Sequence, residues 1–177
     1  MDDSLLPVIY LSVLVVLLGV AAVFLFRQVL RTRRIEGTLN RLQTKLSKEK
    51  GTAQEYYELG SILLDKKLYS QAIAQFQKAL KAKDLEGKEN IAIIYNALGY
   101  AYAAQEQYDL AIKQYKEALE QQPGYVTAMN NLGFAYEKKQ LTAQAVEVYE
   151  QALVVDPKNS TAKRRVESLR KRLVPST

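Results

Sequence analysis

Three glycines in this chain each stand at the centre of the same arrangement of bulky and small residues. Around Gly99, Tyr95 lies four before, Leu98 one before and Tyr102 three after; Ala111, Tyr115, Ala118 and Pro123 follow at twelve, sixteen, nineteen and twenty-four. The same offsets from Gly133 hold Met129, Leu132, Tyr136, Ala145, Tyr149, Ala152 and Pro157, and Gly133 lies 34 residues beyond Gly99. Around Gly60 they hold Tyr56, Leu59, Leu63, Ala72, Phe76, Ala79 and Asp84, so only the closing proline is replaced. A fixed period of this length marks one supersecondary unit used repeatedly. The bulky positions recur at helical spacing, so each unit has apolar flanks that it must bury on its neighbour. Pro123 and Pro157 fall where a residue without an N–H stops a helix and starts a turn.

These slots resemble those of the tetratricopeptide repeat, a helical hairpin of about 34 residues. The resemblance implies an all-α chain, an α-solenoid of three hairpins over residues 53–86, 92–125 and 126–159. Gly60, Gly99 and Gly133 on the first helices, with Ala72, Ala111 and Ala145 on the second, are then the small residues that let paired helices approach. A solenoid also needs a polar end. Residues 160–177 supply it: from Ser160 to Leu173, Ala162, Val166, Leu169 and Leu173 share one face, with Lys163, Arg164, Arg165, Arg170, Lys171 and Arg172 elsewhere. This predicts a basic capping helix, and a docking face for an acidic partner or lipid is compatible with it. One irregularity interrupts the period. Gly60 and Gly99 are 39 residues apart, with the surplus near Lys83 to Asn90. It predicts lengthened helices with a looser turn, or else a partner-contacting loop, since insertions there cost little entropy.

The amino-terminal end follows other rules. From Ser4 to Phe26 no residue is charged, and Val8 to Phe26 is almost wholly apolar, long enough to cross the roughly 30 Å hydrocarbon core. Asp2 and Asp3 precede this run and Arg27, Arg31, Arg33 and Arg34 follow it, the reverse of a cleaved signal peptide. Residues 1–26 therefore read as a single transmembrane anchor. The positive-inside bias places the remainder on the cytoplasmic side, and the four arginines at the membrane surface, against anionic headgroups. Residues 27–52 read as a basic amphipathic stalk with Ile35, Leu39, Leu42 and Leu46 on one stripe, which packs on the repeats or lies at the lipid surface; about two heptads are too few to argue a coiled coil.

Composition removes whole classes of function. The chain holds no Cys and no His, so zinc, haem and iron–sulfur ligation of the usual kinds, disulfides, and thiolate or imidazole catalysis are not open to it. No phosphate loop, carboxylate motif or nucleophile elbow appears either, and the reading is of a non-enzyme without cofactor, metal or small-molecule substrate. The net charge of +6 is concentrated beside the membrane and in residues 160–177, while residues 51–159 are acidic on balance. Neither basic cluster interleaves aromatics, which argues against nucleic acid.

What remains is protein binding. The repeat resemblance implies a groove lined by the first helices: Gln54, Tyr57, Ser61, Leu64 and Asp65, then Ile93, Asn96, Tyr100, Ala103 and Ala104, then Thr127, Asn130, Phe134, Glu137 and Lys138. Most tyrosines after Gly51 occupy the family's packing slots, leaving Tyr57, Tyr100 and Tyr125 unclaimed. Tyr57 and Tyr100, with Phe134, suit an extended peptide or a helix. The positions that clamp acidic chaperone tails in some relatives carry Tyr57, Ser61, Ala97, Thr127 and Asn131, none of them cationic. The whole arrangement of acidic start, single span, basic stalk, three repeats and cap resembles a family of membrane-anchored tetratricopeptide proteins of cyanobacteria and plastids that assist photosystem I assembly. That resemblance implies a thylakoid location, repeats facing the cytoplasm or stroma, and photosystem I subunits or intermediates as partners. An adaptor of another bacterial membrane complex, in secretion or pilus biogenesis, would share the same physical features.

Overall fold

The structure is a computed structural model that describes residues 5–173; the acidic start at Asp2 and Asp3, Ser4, and the side chains of Leu5, Leu6, Val8, Ile9, Arg172 and Leu173 lie outside the described set. Among the described residues all regular structure is helical, in eight helices: α1 Leu5–Lys48, α2 Ala53–Asp65, α3 Tyr69–Leu80, α4 Lys88–Ala104, α5 Tyr108–Gln121, α6 Val126–Lys138, α7 Thr142–Val155 and α8 Ser160–Leu173. They fall into two compact units, residues 1–45 and residues 46–177.

The first unit is the larger part of α1. This helix passes through Gly19 and Gly37 without a break and ends at Lys48, three residues before Gly51. It is long and apolar enough to cross a membrane. Its apolar side chains from Tyr10 to Phe26 are exposed, and Arg27, Arg31, Arg33 and Arg34 are exposed on the turns that follow.

The second unit is built from hairpins. Thr52 opens the first with a capping box: its hydroxyl accepts from the Glu55 N–H at 3.1 Å, and its own N–H donates to Glu55 Oε2 at 3.1 Å. Helices α2 and α3, α4 and α5, and α6 and α7 pair as hairpins; α3 packs on α4, α5 on α6 and α7 on α8. In every hairpin the first helix stops the same way. Lys67, Glu106 and Gln140 adopt left-handed backbone, with φ of 61°, 60° and 61°. The next residue then bonds back across the last turn, Leu68 N–H to Leu63 O at 2.9 Å, Gln107 to Tyr102 at 3.0 Å and Leu141 to Tyr136 at 2.9 Å. This is a Schellman cap, made here three times without glycine.

The repeated glycines meet the repeated aromatics. A Cβ built on Gly60 would stand 2.6 Å from the Phe76 ring, on Gly99 2.6 Å from Tyr115, and on Gly133 2.6 Å from Tyr149. The rings are fully buried, with Ala72, Ala111 and Ala145 sealed beside them, so each hairpin closes by seating an aromatic face on a bare backbone. The core continues to the end of the array. Ala162, Val166 and Leu169 of α8 are buried at positions 34 residues after Ala128, Leu132 and Ala135, so α8 packs as a fourth first helix would. Asn159 caps it, accepting the Ala162 N–H at 2.9 Å.

The surplus between the first two repeats is mostly helix. Helix α4 has 17 residues against 13 in α2 and α6, and it starts at Lys88, four residues before the repeat register. Gly87 precedes it with φ of 82°, a conformation that costs glycine nothing. Asp84, which occupies the slot of the missing proline, turns back to α2: its carboxylate oxygens accept the Ala53 N–H at 3.1 and 3.2 Å. A negative group at that end also complements the helix dipole.

Candidate functional site: an inner groove with two pockets

The face formed by α2, α4 and α6 carries two pockets with an amide-rich stretch between them. The first has a volume of about 210 Å³ and is lined by Ala53, Gln54 and Tyr57 of α2, by Asp84, Leu85 and Glu86 of the inserted segment, and by Asn90, Ile93 and Ile94 of α4. Ile93 is 37% exposed there, although isoleucine normally seeks the core. The Tyr57 ring is fixed at 5.8 Å from the buried Phe76 ring, at a tilt of 43°.

The second pocket, of about 290 Å³, lies between α4 and α6. Tyr100, Ala103 and Ala104 form one wall, Asn131, Phe134 and Lys138 the other, with Glu106, Tyr108 and Tyr115 completing it. Tyr100 is 53% and Phe134 38% exposed. The Lys138 ammonium rests 5.4 Å from the centre of the Phe134 ring, a cation–π contact that orients the ring and leaves one charge at the rim.

Between the pockets the amides are paired with one another. Asn131 Nδ2 donates to Asn96 Oδ1 at 2.9 Å, and Asn96 Nδ2 points at the Tyr125 hydroxyl at 3.5 Å. Burial raises the pKa of Tyr125, the neighbouring Tyr57 adds to the rise, and the Asn96 bond opposes it. Tyr115 is likewise pushed up by burial and then by Tyr100. These hydroxyls stay protonated at neutral pH, so the middle of the groove is uncharged.

The residues expected to line the groove thus separate. Tyr57 and Ile93 share the first pocket, Tyr100 and Phe134 the second, and Asn96 stands between. Thr127 is exposed and Leu64 half-buried, outside both pockets. Asn130 is half-buried, and its side-chain oxygen is buried without a partner among the described residues. Two polar residues are engaged inside the protein. The Ser61 hydroxyl donates to the Tyr57 carbonyl at 2.9 Å, one turn back. Glu137 accepts the Tyr149 hydroxyl at 2.7 Å and stands 3.6 Å from Arg165 Nε on α8, so its carboxylate joins the last hairpin to the cap. Tyr149 is raised by burial first and then by that bond. Glu86 and Asn90 belong to the surplus segment that the sequence left open as a looser turn or a partner-contacting loop, whereas Tyr108, a packing slot, was beyond sequence reasoning as a lining residue. The placement of the insertion beside the inner face was the only available signal.

Comparison with known proteins agrees with this architecture. Tetratricopeptide repeat models match residues 51–123 and 96–162. Among curated relatives, the ycf37 protein of Guillardia theta is 38% identical over 125 residues, covering 71% of this chain and 70% of that one. The ycf37 protein of Cyanophora paradoxa is 45% identical over 105 residues, covering 59% of this chain and 60% of that one. The chloroplastic tetratricopeptide repeat domain-containing protein PYG7 of Arabidopsis thaliana is 38% identical over 119 residues, which is 67% of this chain but only 39% of PYG7. Of solved structures, MamA superposes with a TM-score of 0.73 at 21% identity, covering 81% of each chain. The Arabidopsis OM64 TPR domain gives 0.62 at 23% identity, over 68% of this chain and 95% of that domain. With its three hairpins, its repeat-model matches and this shared length, the chain belongs to the tetratricopeptide repeat family, in the group of the ycf37 proteins.

Proposed function

We propose that this protein is a non-catalytic, membrane-anchored scaffold whose groove holds protein subunits and so assists the assembly or stability of photosystem I. The observation that carries the scaffold reading is the pair of half-exposed aromatics, Tyr100 and Phe134, set across a pocket on a rigid hairpin stack. Aromatic rings offer large contact area at small entropic cost, and exposed apolar surface of this kind marks binding sites.

The anchor sets where this binding happens. The exposed apolar run of α1 has no cover of its own, and a bilayer is the cover that its length and composition suit. Arg27, Arg31, Arg33 and Arg34 then sit at the lipid surface and hold the repeats on the cytoplasmic or stromal side of a thylakoid membrane. Tethering raises the local concentration of membrane-borne subunits around the groove, which strengthens weak contacts without adding new ones. The photosystem reading rests on the resemblance of the whole arrangement and on kinship with a chloroplastic Arabidopsis protein.

The test is affinity isolation of the tagged chain from detergent-solubilised membranes, with mass spectrometry of what it retains. Photosystem I subunits or their assembly intermediates are the expected catch. Recovery of secretion or pilus components without any photosystem subunit would reject the proposal.

A further inference from the structure

We infer that the first pocket of the groove receives a basic side chain, lysine or arginine, from the bound protein segment; this rests on the scaffold reading and specifies its partner. The pocket is built for a side chain with an apolar stem and a cationic head. Ile93, Ile94, Leu85 and Tyr57 give apolar wall, and Asp84 and Glu86 give two carboxylates, while no basic side chain lines it. Asp84 is not free to swing away, because both its oxygens hold the Ala53 N–H. Glu86 is exposed at the rim, its position set by the Asn90 amide, which donates to the Glu86 carbonyl at 2.9 Å. Long basic side chains bury their methylenes along apolar surface and keep the charge at a polar edge, and their bonds to carboxylates are among the stronger ones available. About 210 Å³ admits one such side chain and not a helix.

The rest of the groove orients the segment that carries it. One inner position, repeated through the hairpins, holds Asp65, then Ala104, then Lys138. Arg164 and Lys171 of α8 are exposed beyond them. Charge at this position therefore passes from negative to positive along the array, and a bound segment lies with its basic residue at the first hairpin. The acidic wall comes from the insertion that the other repeats lack, so this selectivity belongs to the first pocket alone.

Four peptides test the inference, Ac-Ala-Ala-X-Ala-Ala-NH2 with X as arginine, lysine, norleucine or glutamate, titrated into the full chain in lipid nanodiscs and followed by NMR. The arginine and lysine peptides should shift the resonances of Tyr57, Glu86 and Ile93 and bind about three- to fivefold tighter than the norleucine peptide, the effect of a solvent-facing charge pair. That margin should shrink as salt rises, and Glu86→Gln should remove most of it, with no cost to folding expected at an exposed site. Equal binding by norleucine, shifts confined to the α8 face, an unchanged margin in Glu86→Gln, or no binding by any peptide would each overturn the inference. None of these outcomes alters subunit capture from membranes, so the scaffold reading stands or falls separately.

Discussion

Replacing Gly99 with alanine adds one methyl group where the structure has no room for it. The new Cβ would lie 2.6, 2.7 and 3.1 Å from Cε1, Cδ1 and Cζ of Tyr115, against ordinary carbon contacts of about 3.5–4.0 Å. The ring is only 1% exposed, so it cannot step aside without disturbing the hairpin. Two effects then oppose each other. Alanine favours a helix over glycine by about 1 kcal/mol, whereas forcing a methylene into a packed core costs about 1–3 kcal/mol. Overpacking wins at this distance, and the expected net loss is up to about 2 kcal/mol. At this size a loss of about 2 kcal/mol lowers Tm by roughly 4–8 °C in thermal circular dichroism of the full chain. A double-mutant cycle supplies the stricter check. In a Tyr115→Leu background the ring edge is gone, so the penalty of Gly99→Ala should shrink or reverse, with a coupling of about 1–2 kcal/mol. Gly99→Ala that is neutral or stabilising, or a penalty unchanged without the ring, would refute the idea that hairpins close by seating a ring on bare backbone. The equivalent changes at Gly60 and Gly133 should behave alike, with Gly133 the most costly because the Tyr149 hydroxyl is also tied to Glu137.

The left-handed turn residues offer the opposite effect: Lys67→Gly, Glu106→Gly and Gln140→Gly should each stabilise the array by up to about 1 kcal/mol, measured by urea unfolding, because glycine carries no steric penalty there. The alkaline limb of stability should depend on the buried tyrosines. Tyr115 and Tyr149 have their pKa values raised by folding, so their contribution is complete below the unfolded value near 10 and is lost as pH climbs above it; Tyr149→Phe should flatten that decline. Asp84→Ala should cost about 1 kcal/mol by leaving the Ala53 N–H without its acceptor, with hydrogen exchange quickening at the start of α2 before the later repeats.

The repeat array was readable because close packing leaves a periodic trace: the Gly, Ala and aromatic slots that defined the period are the groups that touch. Packing on the neighbour was readable for the same reason, down to Ala162, Val166 and Leu169 of the cap. Hydrogen bonds left no such trace. Ser61 and Glu137 were both expected to line the groove; the Ser61 hydroxyl is satisfied by its own helix, and the Glu137 carboxylate serves Tyr149 and Arg165. Asp84 registered as an absent proline at the edge of the surplus segment, and its service to Ala53 stayed hidden because it spans 31 residues that no local pattern connects. The left-handed turns were equally hidden, since lysine, glutamate and glutamine do not advertise positive φ as glycine would. The insertion between the first two repeats was visible as extra length. Its division into one more turn of α4 and the acidic wall of a pocket depended on where Gly87 turned the chain.

Site-specific photo-crosslinking in intact membranes reaches the central claim most directly. A photoreactive amino acid placed at Tyr100 or at Phe134 should form adducts with a membrane-complex subunit, and the same group at Lys113, exposed on the second helix of the middle hairpin, should form none. Adducts from Lys113 with none from Tyr100 or Phe134 would contradict a groove that holds its partner.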